Sequence, residues 1–355
     1  MPITLDGTNG ITTPTYGGAD TSEYLVPVTG FKNRIINGNM SIDQRNAGAS
    51  VTPTDNQYTI DRWAARLTQT SKFTVQQDAG SVGAPSGFID YLGVTSSSAY
   101  SVVASDFFNV RQYIEGFNTA DLAWGTSNAK TVTLSFWVRS SLTGTFGGAF
   151  FNSSGTRTYA FSYTISSANT WEFKTVTVAG DTSGTWLTNN GIGIGISFSL
   201  GTGSTYTGTA GSWSTSLLLA PTGATSVVGT NGATFYITGV QLEVGSTATS
   251  FDYRPYGTEL NLCQRYYEQT SGSFANPMLT GYIVNGTTYY AGAVFVVEKR
   301  AAPTLTLTNS SANGFPATSG STGNVTVRSF YEGRVCNSTL NAGWFASNFT
   351  ASAEL

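Results

Sequence analysis

The sequence contains no histidine, and only 10 % of its 355 residues carry a charge. The lack of histidine excludes serine–histidine and cysteine–histidine catalysis, and it leaves no imidazole ligand for zinc or haem. The 17 basic residues are outnumbered by 20 acidic residues and form no cluster, so no nucleic-acid partner is expected. No apolar run approaches the roughly 18 residues of a membrane span, so none is predicted.

Cysteine is scarce as well. Cys263 and Cys336 are the only two, which is too few for a disulfide scaffold. We expect both to be buried thiols formed in a reducing cytosol, and a disulfide between them is the alternative. The N-terminus has neither a basic start nor an apolar stretch, and it therefore predicts no secretory signal.

Strand-forming residues are abundant instead. The chain is 40 % hydrophobic and 13 % aromatic, which is enough for a buried core, and threonine is frequent. Apolar and polar residues alternate in four stretches, as in strands with one buried face: Thr131–Arg139, Tyr159–Ile165, Ile192–Leu200 and Thr238–Val244. Turn-forming residues separate these stretches. The predicted fold class is all-β, built around a jelly-roll β-sandwich.

The chain divides into three parts with different patterns. Residues 1–33 form an N-terminal arm and linker, residues 34–256 form the jelly-roll sandwich, and residues 257–355 form a smaller β-rich domain. The third part opens with the one short helix that the sequence predicts. Thr258 is its expected cap, and Glu259 is favourably placed in its first turn.

The N-terminal arm is too short to hold a core of its own. Its apolar residues Ile3, Leu5 and Ile11 flank a turn-rich stretch, which predicts a small hairpin. The arm is either a flexible tail or a segment that docks by adding strands to a partner protein.

Exposed aromatic residues are candidates for sugar binding, because the apolar faces of sugar rings stack on aromatic rings. Trp137 lies on the polar face of its predicted strand beside Arg139. Trp186, Tyr206 and Trp213 lie in Gly/Thr-rich loops, a common location for binding residues. Tyr289, Tyr290 and Trp344 belong to the C-terminal part. Each candidate also has a structural alternative. The face with Trp137 could be covered by another subunit or loop, and the aromatic residues in the loops could anchor those loops. The three C-terminal residues could belong to the core or to a subunit contact. Trp63 and Trp171 are assigned to the core.

The acidic residues give a weaker indication of function than the aromatic residues do. Glu243 and Asp252 lie close together in sequence at the last sandwich strand and could supply oxygen ligands to a structural calcium ion. The alternative is that Glu243 is a solvated strand residue and Asp252 a turn acceptor. No motif fixes two carboxylates at the separation that glycoside hydrolysis requires, so the chain is predicted not to be an enzyme.

Three stretches resemble bacteriophage tail-fibre and receptor-binding proteins. Residues 3–14 resemble a short segment found at the start of phage tail proteins. Residues 34–48, followed by Asp61-Arg62-Trp63, resemble the opening of their sandwich domain, and residues 240–267 resemble its end. The part between, notably Leu134–Arg139 and Trp171–Lys174, is similar to carbohydrate-binding-module jelly rolls. The resemblance implies a virion location, a homotrimer and no catalytic residues.

Together these features predict a non-enzymatic tail-fibre protein that is assembled in the host cytoplasm. Residues 1–33 would dock to another tail protein, and the rest would attach the virion to a host surface polysaccharide. The main alternative is a structural adaptor, shaft or decoration protein without a ligand. A polysaccharide depolymerase and a secreted bacterial binding module are the weaker alternatives.

Overall fold

The computed structural model describes residues 4–6, 10–12, 31–270, 281–284, 288–313, 320–335 and 344–355. The chain forms two compact units, Met1–Lys32 and Asn33–Leu355. In the first unit, strands β1 (Thr4–Asp6) and β2 (Gly10–Thr12) pair in the predicted antiparallel hairpin, with Leu5 opposite Ile11. Ile3 lies outside the described residues.

The second unit contains two large sheets. The seven-stranded sheet has, in spatial order, β14 (Trp213–Ser214), β10 (Thr158–Ile165), β9 (Gly144–Phe151), β12 (Ile192–Thr202), β7 (Phe107–Glu115), β4 (Trp63–Leu67) and β3 (Gln57–Ile60). The five-stranded sheet has β11 (Glu172–Val178), β8 (Val132–Ser140), β16 (Thr234–Val244), β6 (Leu92–Ser96) and β5 (Phe73–Gln77). A short parallel pair joins β13 (Thr207–Gly208) and β15 (Ala220–Pro221).

The two large sheets share one hydrophobic core, which confirms the predicted β-sandwich. On β8 the alternating residues Val132, Leu134, Phe136 and Val138 are fully buried. Phe136 meets Phe198 of the opposite sheet at 5.0 Å between ring centroids. Each such side chain contributes about 1.5–3 kcal/mol by leaving water, so the period-two pattern fixes which face of β8 points inward.

The C-terminal part contains the predicted helix and two further sheets. Helix α1 (Tyr256–Gln264) begins two residues before Thr258, and no side chain caps it. The three-stranded sheet has β17 (Tyr267–Gln269), β23 (Trp344–Ser352) and β20 (Thr304–Asn313). The four-stranded sheet has β18 (Gly281–Val284), β19 (Thr288–Val294), β22 (Ser329–Val335) and β21 (Ser321–Gly323). Within the described ranges, no helix is long and apolar enough to cross a membrane.

Cys263 lies on this helix as a buried free thiol. Burial raises the pKa of the thiol well above its ordinary value, because a thiolate would lose its hydration. Cys263 is thus a buried thiol, as expected, whereas Cys336 lies outside the described residues.

Buried ion pairs connect the start of the sandwich to the last residues of the chain. Arg62, almost fully buried, donates to the Glu354 carboxylate and to the Tyr113 carbonyl oxygen, the latter at 2.6 Å. Arg45 also donates to Glu354, at 2.6 Å. The Arg62 guanidinium lies 3.5 Å from the centre of the Tyr266 ring. Sandwich and C-terminal part are thus held together by paired charges as well as by apolar contacts.

Asp61 provides a pH-dependent contribution to the stability of this region. Burial raises the pKa of its carboxyl from 3.8 to about 7, although the Arg45 guanidinium and the Gln44 amide both favour the ionised form. The folded protein therefore binds this proton more tightly than the unfolded chain does. The carboxyl's contribution to stability falls as pH rises from about 4 to about 7, by about 4 kcal/mol for a shift of this size.

We expect Asp61→Asn to remove this dependence. The amide keeps an acceptor for Gln44 and carries no charge, so the variant should be more stable than the parent at pH 8. Its free energy of unfolding should also change less between pH 4 and pH 7 than that of the parent protein. Urea unfolding at several pH values measures both effects, and an unchanged slope in the variant would contradict the assignment to Asp61.

Candidate functional site

The outer face of the five-stranded sheet carries an aromatic pair. On β8, Ser135, Trp137 and Arg139 alternate with the core residues and point away from the core. Phe173 of β11 lies directly opposite Trp137 in the antiparallel register, and the ring centroids are 5.5 Å apart. Phe173 is 46 % exposed, so the pair offers a large apolar surface to solvent.

Three aromatic side chains from two loops form the other wall of a groove above this pair. The rings of Phe88 and Phe251 are 5.1 Å apart, and Tyr253 lies 4.9 Å from Phe251. The Tyr253 hydroxyl donates to the Gly87 carbonyl oxygen at 2.6 Å, which holds the two loops together. The groove has a volume of about 320 Å³ and is completed by Ser135, Gly239, Thr249 and Ser250.

A bulge in β16 lets Phe88 enter this groove. The register between β16 and β8 shifts between Thr238 and Gln241. Within the bulge, Gly239 has a φ of 62°, and a Cβ atom there would lie 2.6 Å from the Phe88 ring. Glycine is therefore required both by the left-handed backbone and by the packing of the aromatic wall.

Glu243 anchors the loop that carries Phe251 and Tyr253. Its buried carboxylate accepts hydrogen bonds from the Gln241 amide at 2.8 Å and from the Thr249 backbone and hydroxyl at 2.8 and 2.6 Å. The Asp252 carboxylate accepts from the Asn33 backbone at 3.1 Å. Glu243 is thus not a solvated strand residue, and its oxygens already have partners within the chain. Among the described residues, no group of three or more acidic or cysteine side chains could hold a metal ion.

The calcium hypothesis for Glu243 and Asp252 can be tested by metal removal. Because the chain itself satisfies the Glu243 carboxylate, we expect EDTA to leave the melting temperature unchanged within about 1 °C. Differential scanning calorimetry with and without added Ca²⁺ provides the measurement. A loss of several degrees that Ca²⁺ restores would instead support a structural calcium ion.

The indole N–H groups distinguish Trp137 from the other tryptophans whose side chains the structure describes. Trp63, Trp124, Trp171, Trp186 and Trp213 each donate their N–H to an acceptor of the chain. The Trp137 N–H makes no hydrogen bond to any residue that the structure describes, although its ring is half-buried in the groove. The Trp137 N–H is not among the buried unpartnered atoms of the described residues, so it is open to water and can donate to a polar ligand in the groove instead.

Trp186 and Trp213, predicted as loop binding residues, belong to a packed cluster with Trp124. The three rings contact one another edge to face at 4.8–5.5 Å between centroids. The Trp213 N–H donates to the Ala179 carbonyl oxygen at 2.8 Å, and the Trp186 N–H donates to Asp181 and to a loop carbonyl. This arrangement is that of loop-anchoring aromatics, and neither residue lines the groove.

Three of the remaining candidates, Tyr206, Tyr289 and Tyr290, are not among the described residues that line the groove. Tyr206 is half-buried against Phe107, with ring centroids 5.4 Å apart. In the four-stranded sheet, Tyr289 and Tyr290 are half-buried on β19, and Tyr290 contacts Tyr331 at 5.1 Å. Trp344 begins β23, and its side chain is outside the description.

Arg139 contacts a second group of aromatic side chains, outside the groove. Its guanidinium lies 5.5 Å from the centre of the Tyr236 ring, and its Nε donates to the Asn169 carbonyl oxygen at 2.9 Å. Tyr236 packs with Tyr91 and Trp171. Trp171 is therefore half-buried on the outer face of the sheet and not in the core where the sequence placed it, whereas Trp63 is fully buried as predicted.

The sequence reasoning missed four of the five groove aromatics: Phe88, Phe173, Phe251 and Tyr253. Phe173 alternates with Glu172 and Lys174 on an edge strand, and a strand-pairing argument could have placed it beside Trp137. Phe88 and the Phe251–Tyr253 segment lie in irregular loops, where no periodicity signals which side chains converge.

Comparison with known proteins gives only distant structural similarity. A scan against models of protein families finds no match, and a search of curated proteins finds none. Among solved structures, the enzymatically active domain of tailspike protein 4 from bacteriophage CBA120 is 14 % identical with a TM-score of 0.34, over 60 % of this chain and 22 % of that one.

Two carbohydrate-binding modules have similarly low sequence identities and TM-scores. The family 11 module of a cellulosomal cellulase from Clostridium thermocellum is 11 % identical with a TM-score of 0.30, over 57 % of this chain and 99 % of the module. The module TmCBM61 in complex with β-1,4-galactotriose is 12 % identical with a TM-score of 0.30, over 60 % of this chain and 99 % of the module.

Proposed function

We propose that the aromatic groove binds an uncharged stretch of a glycan. The observation that carries the proposal is Trp137, whose ring lines the groove and whose N–H has no acceptor among the described residues. A sugar ring can stack on Trp137 and Phe173 while one of its hydroxyl oxygens accepts the indole N–H. No Asp, Glu, Lys or Arg among the described residues lines the groove, which favours a neutral ligand.

The aromatic walls are suited to a ligand with apolar faces and polar edges. Phe251 and Tyr253 line the same groove as the Trp137–Phe173 pair, so a ligand there meets several aromatic rings. Ser135 lines the same groove and carries a hydroxyl group. Most of the aromatic side chains are held by the fold before any ligand arrives, which lowers the entropic cost of binding.

We further propose that this binding attaches a phage virion to a host surface polysaccharide, without catalysis. The support is the sequence resemblance of residues 3–14, 34–48 and 240–267 to tail-fibre proteins. Residues 1–33 would dock to another tail protein, and the protein would act as a homotrimer. Three groove sites on one fibre would give avidity even if each single contact were weak.

Adsorption to cells tests the attachment proposal. The full-length protein, fluorescently labelled, is mixed with a panel of bacterial strains in the presence or absence of each strain's purified surface polysaccharide. We expect saturable binding to at least one strain, abolished by that strain's polysaccharide and lost in Trp137→Ala. Binding that persists in Trp137→Ala would place the receptor site elsewhere. Release of new reducing ends from the polysaccharide would show that the protein is a depolymerase.

A further inference from the structure

One charged side chain stands on the outer face of β8, next to the groove. Alternate residues of a strand share a face, so Arg139 lies on the same side of the sheet as Ser135 and Trp137. Ser135 and Trp137 line the groove, and Arg139 is the next residue along that face. Trp137 and Arg139 leave the strand about 7 Å apart, so neighbouring residues of one sugar chain can reach both.

The Arg139 guanidinium is held in place by the chain, but its outer edge is open to solvent. Its Nε donates to the Asn169 carbonyl oxygen at 2.9 Å, and it lies 5.5 Å from the centre of the Tyr236 ring. Its Nη atoms make no hydrogen bond to any described residue, and neither is among the buried atoms that lack a partner. Both therefore reach water. Asn169 is exposed and Arg139 is only half-buried, so a ligand can approach this edge without opening the fold.

The charge of Arg139 has no counter-ion in the described parts of the chain. Glu172 of β11 lies opposite Val138, the neighbour of Arg139, and therefore belongs to the other face of the sheet. Its carboxylate pairs with Lys174 at 2.6 Å. No carboxylate of the described residues forms an ion pair with Arg139. A guanidinium that is fixed, accessible and unpaired favours an anion that its Nη edge can contact.

We propose that Arg139 binds the carboxylate of an acidic sugar residue that follows the neutral residue held in the groove. The inference rests on the proposed function, because it takes the groove as the site of the neighbouring sugar. With Nε engaged by Asn169, the two Nη groups remain and can donate two parallel hydrogen bonds to one carboxylate. The guanidinium is positioned before the ligand arrives, so binding costs little side-chain freedom. The selected glycan thus combines neutral and acidic residues in one chain.

The groove and Arg139 act on one ligand and not as two separate sites. A single half-exposed guanidinium binds a free anion only weakly, because water and salt screen its charge. A carboxylate on a sugar chain that already occupies the groove is presented to Arg139 at a high effective concentration. Preference for an acidic glycan therefore requires both Trp137 and Arg139.

Competition for adsorption of the full-length protein to a strain that it binds provides the test. The competitors are two forms of that strain's purified surface polysaccharide: the native form, and a form whose uronate carboxylates have been reduced to primary alcohols. We expect the native form to compete about 3- to 10-fold more strongly than the reduced form. Arg139→Gln should abolish this difference and leave the affinity for the reduced form unchanged, which also shows that the variant is folded.

A second arginine variant controls for net charge. Arg328→Gln removes one positive charge from an exposed ion pair of the C-terminal part, so the preference for the native polysaccharide should persist in it. Equal competition by the two forms, or a competing polysaccharide without acidic sugars, would overturn the proposal and leave the groove in place. A preference for the native form that survives Arg139→Gln would also overturn it. Failure of the proposed function is seen separately, as adsorption that does not depend on Trp137.

Discussion

Replacing Trp137 with alanine is expected to weaken glycan binding by about 10- to 100-fold, which corresponds to about 1.4–2.8 kcal/mol. The indole ring lines the groove, and its N–H is unpartnered within the described residues. The fold should tolerate the change, because the side chain lies on the outer face of β8 and not in the core. Calorimetric titration with the oligosaccharide repeat of a competing polysaccharide gives the affinity, and far-ultraviolet circular dichroism checks the fold.

Trp137→Phe separates stacking from hydrogen bonding. It keeps an aromatic ring opposite Phe173 but removes the N–H donor together with part of the stacking surface of the indole, so a loss of about 3- to 10-fold is expected. An affinity equal to that of the parent would show that the N–H is not used.

Pairs of aromatic-to-alanine variants, one inside the groove and one outside it, control for the effect of removing any exposed aromatic side chain. Phe173→Ala in the groove should weaken binding, whereas Phe117→Ala, at a comparably exposed phenylalanine outside it, should not. Tyr253→Ala and Tyr256→Ala form a second such pair, with Tyr253 in the groove and Tyr256 at the start of α1. Equal losses within either pair would contradict the location of the site.

The largest loss of stability is expected from Glu354→Ala. Its carboxylate compensates Arg62, which is almost fully buried, and also pairs with Arg45. Removing it leaves buried positive charge without its partner, an effect of about 3–5 kcal/mol in similar cases. Urea unfolding of the variant measures the change in the free energy of unfolding.

An exposed pair of the same chemistry provides the control. Glu298 and Arg328 are 2.8 Å apart but are mostly exposed, so Glu298→Ala should change stability by less than about 1 kcal/mol. The double variant Arg62→Met, Glu354→Leu should recover much of the loss, because neither charge is then left buried alone. Equal effects of Glu354→Ala and Glu298→Ala would show that burial of the ion pair is unimportant.

The sequence predicts the sandwich and one residue of the groove, Trp137, because both predictions depend on the alternation of apolar and polar residues. The period-two pattern of β8 sends Phe136 to the core and Trp137 outward, and the structure has both residues there. Strand pairing then places Phe173 beside Trp137, which the sequence does not state because it does not give the order of strands in a sheet.

The other groove aromatics and the burial of Arg62 depend on contacts between residues far apart in the sequence. No pattern in the sequence around these residues predicts such contacts. Phe88 and Tyr253 meet only because a bulge at Gly239 and the carboxylate of Glu243 shape the loops around them. Arg62 illustrates the same point for charge. The partner that allows Arg62 to be buried is 292 positions away in the sequence, so no local pattern around Arg62 predicts its burial.

The most direct test of the central claim is an indole N–H titration of the ¹⁵N-labelled, deuterated full-length protein by NMR. The seven tryptophans give up to seven indole signals, and Trp137→Phe identifies the one that belongs to Trp137. On addition of the competing oligosaccharide, we expect the Trp137 signal to shift most, because its N–H gains an acceptor. A saturable titration in which the Trp137 signal stays in place while the signals of Trp186, Trp213 or Trp344 move would contradict the assignment of the groove as the glycan site.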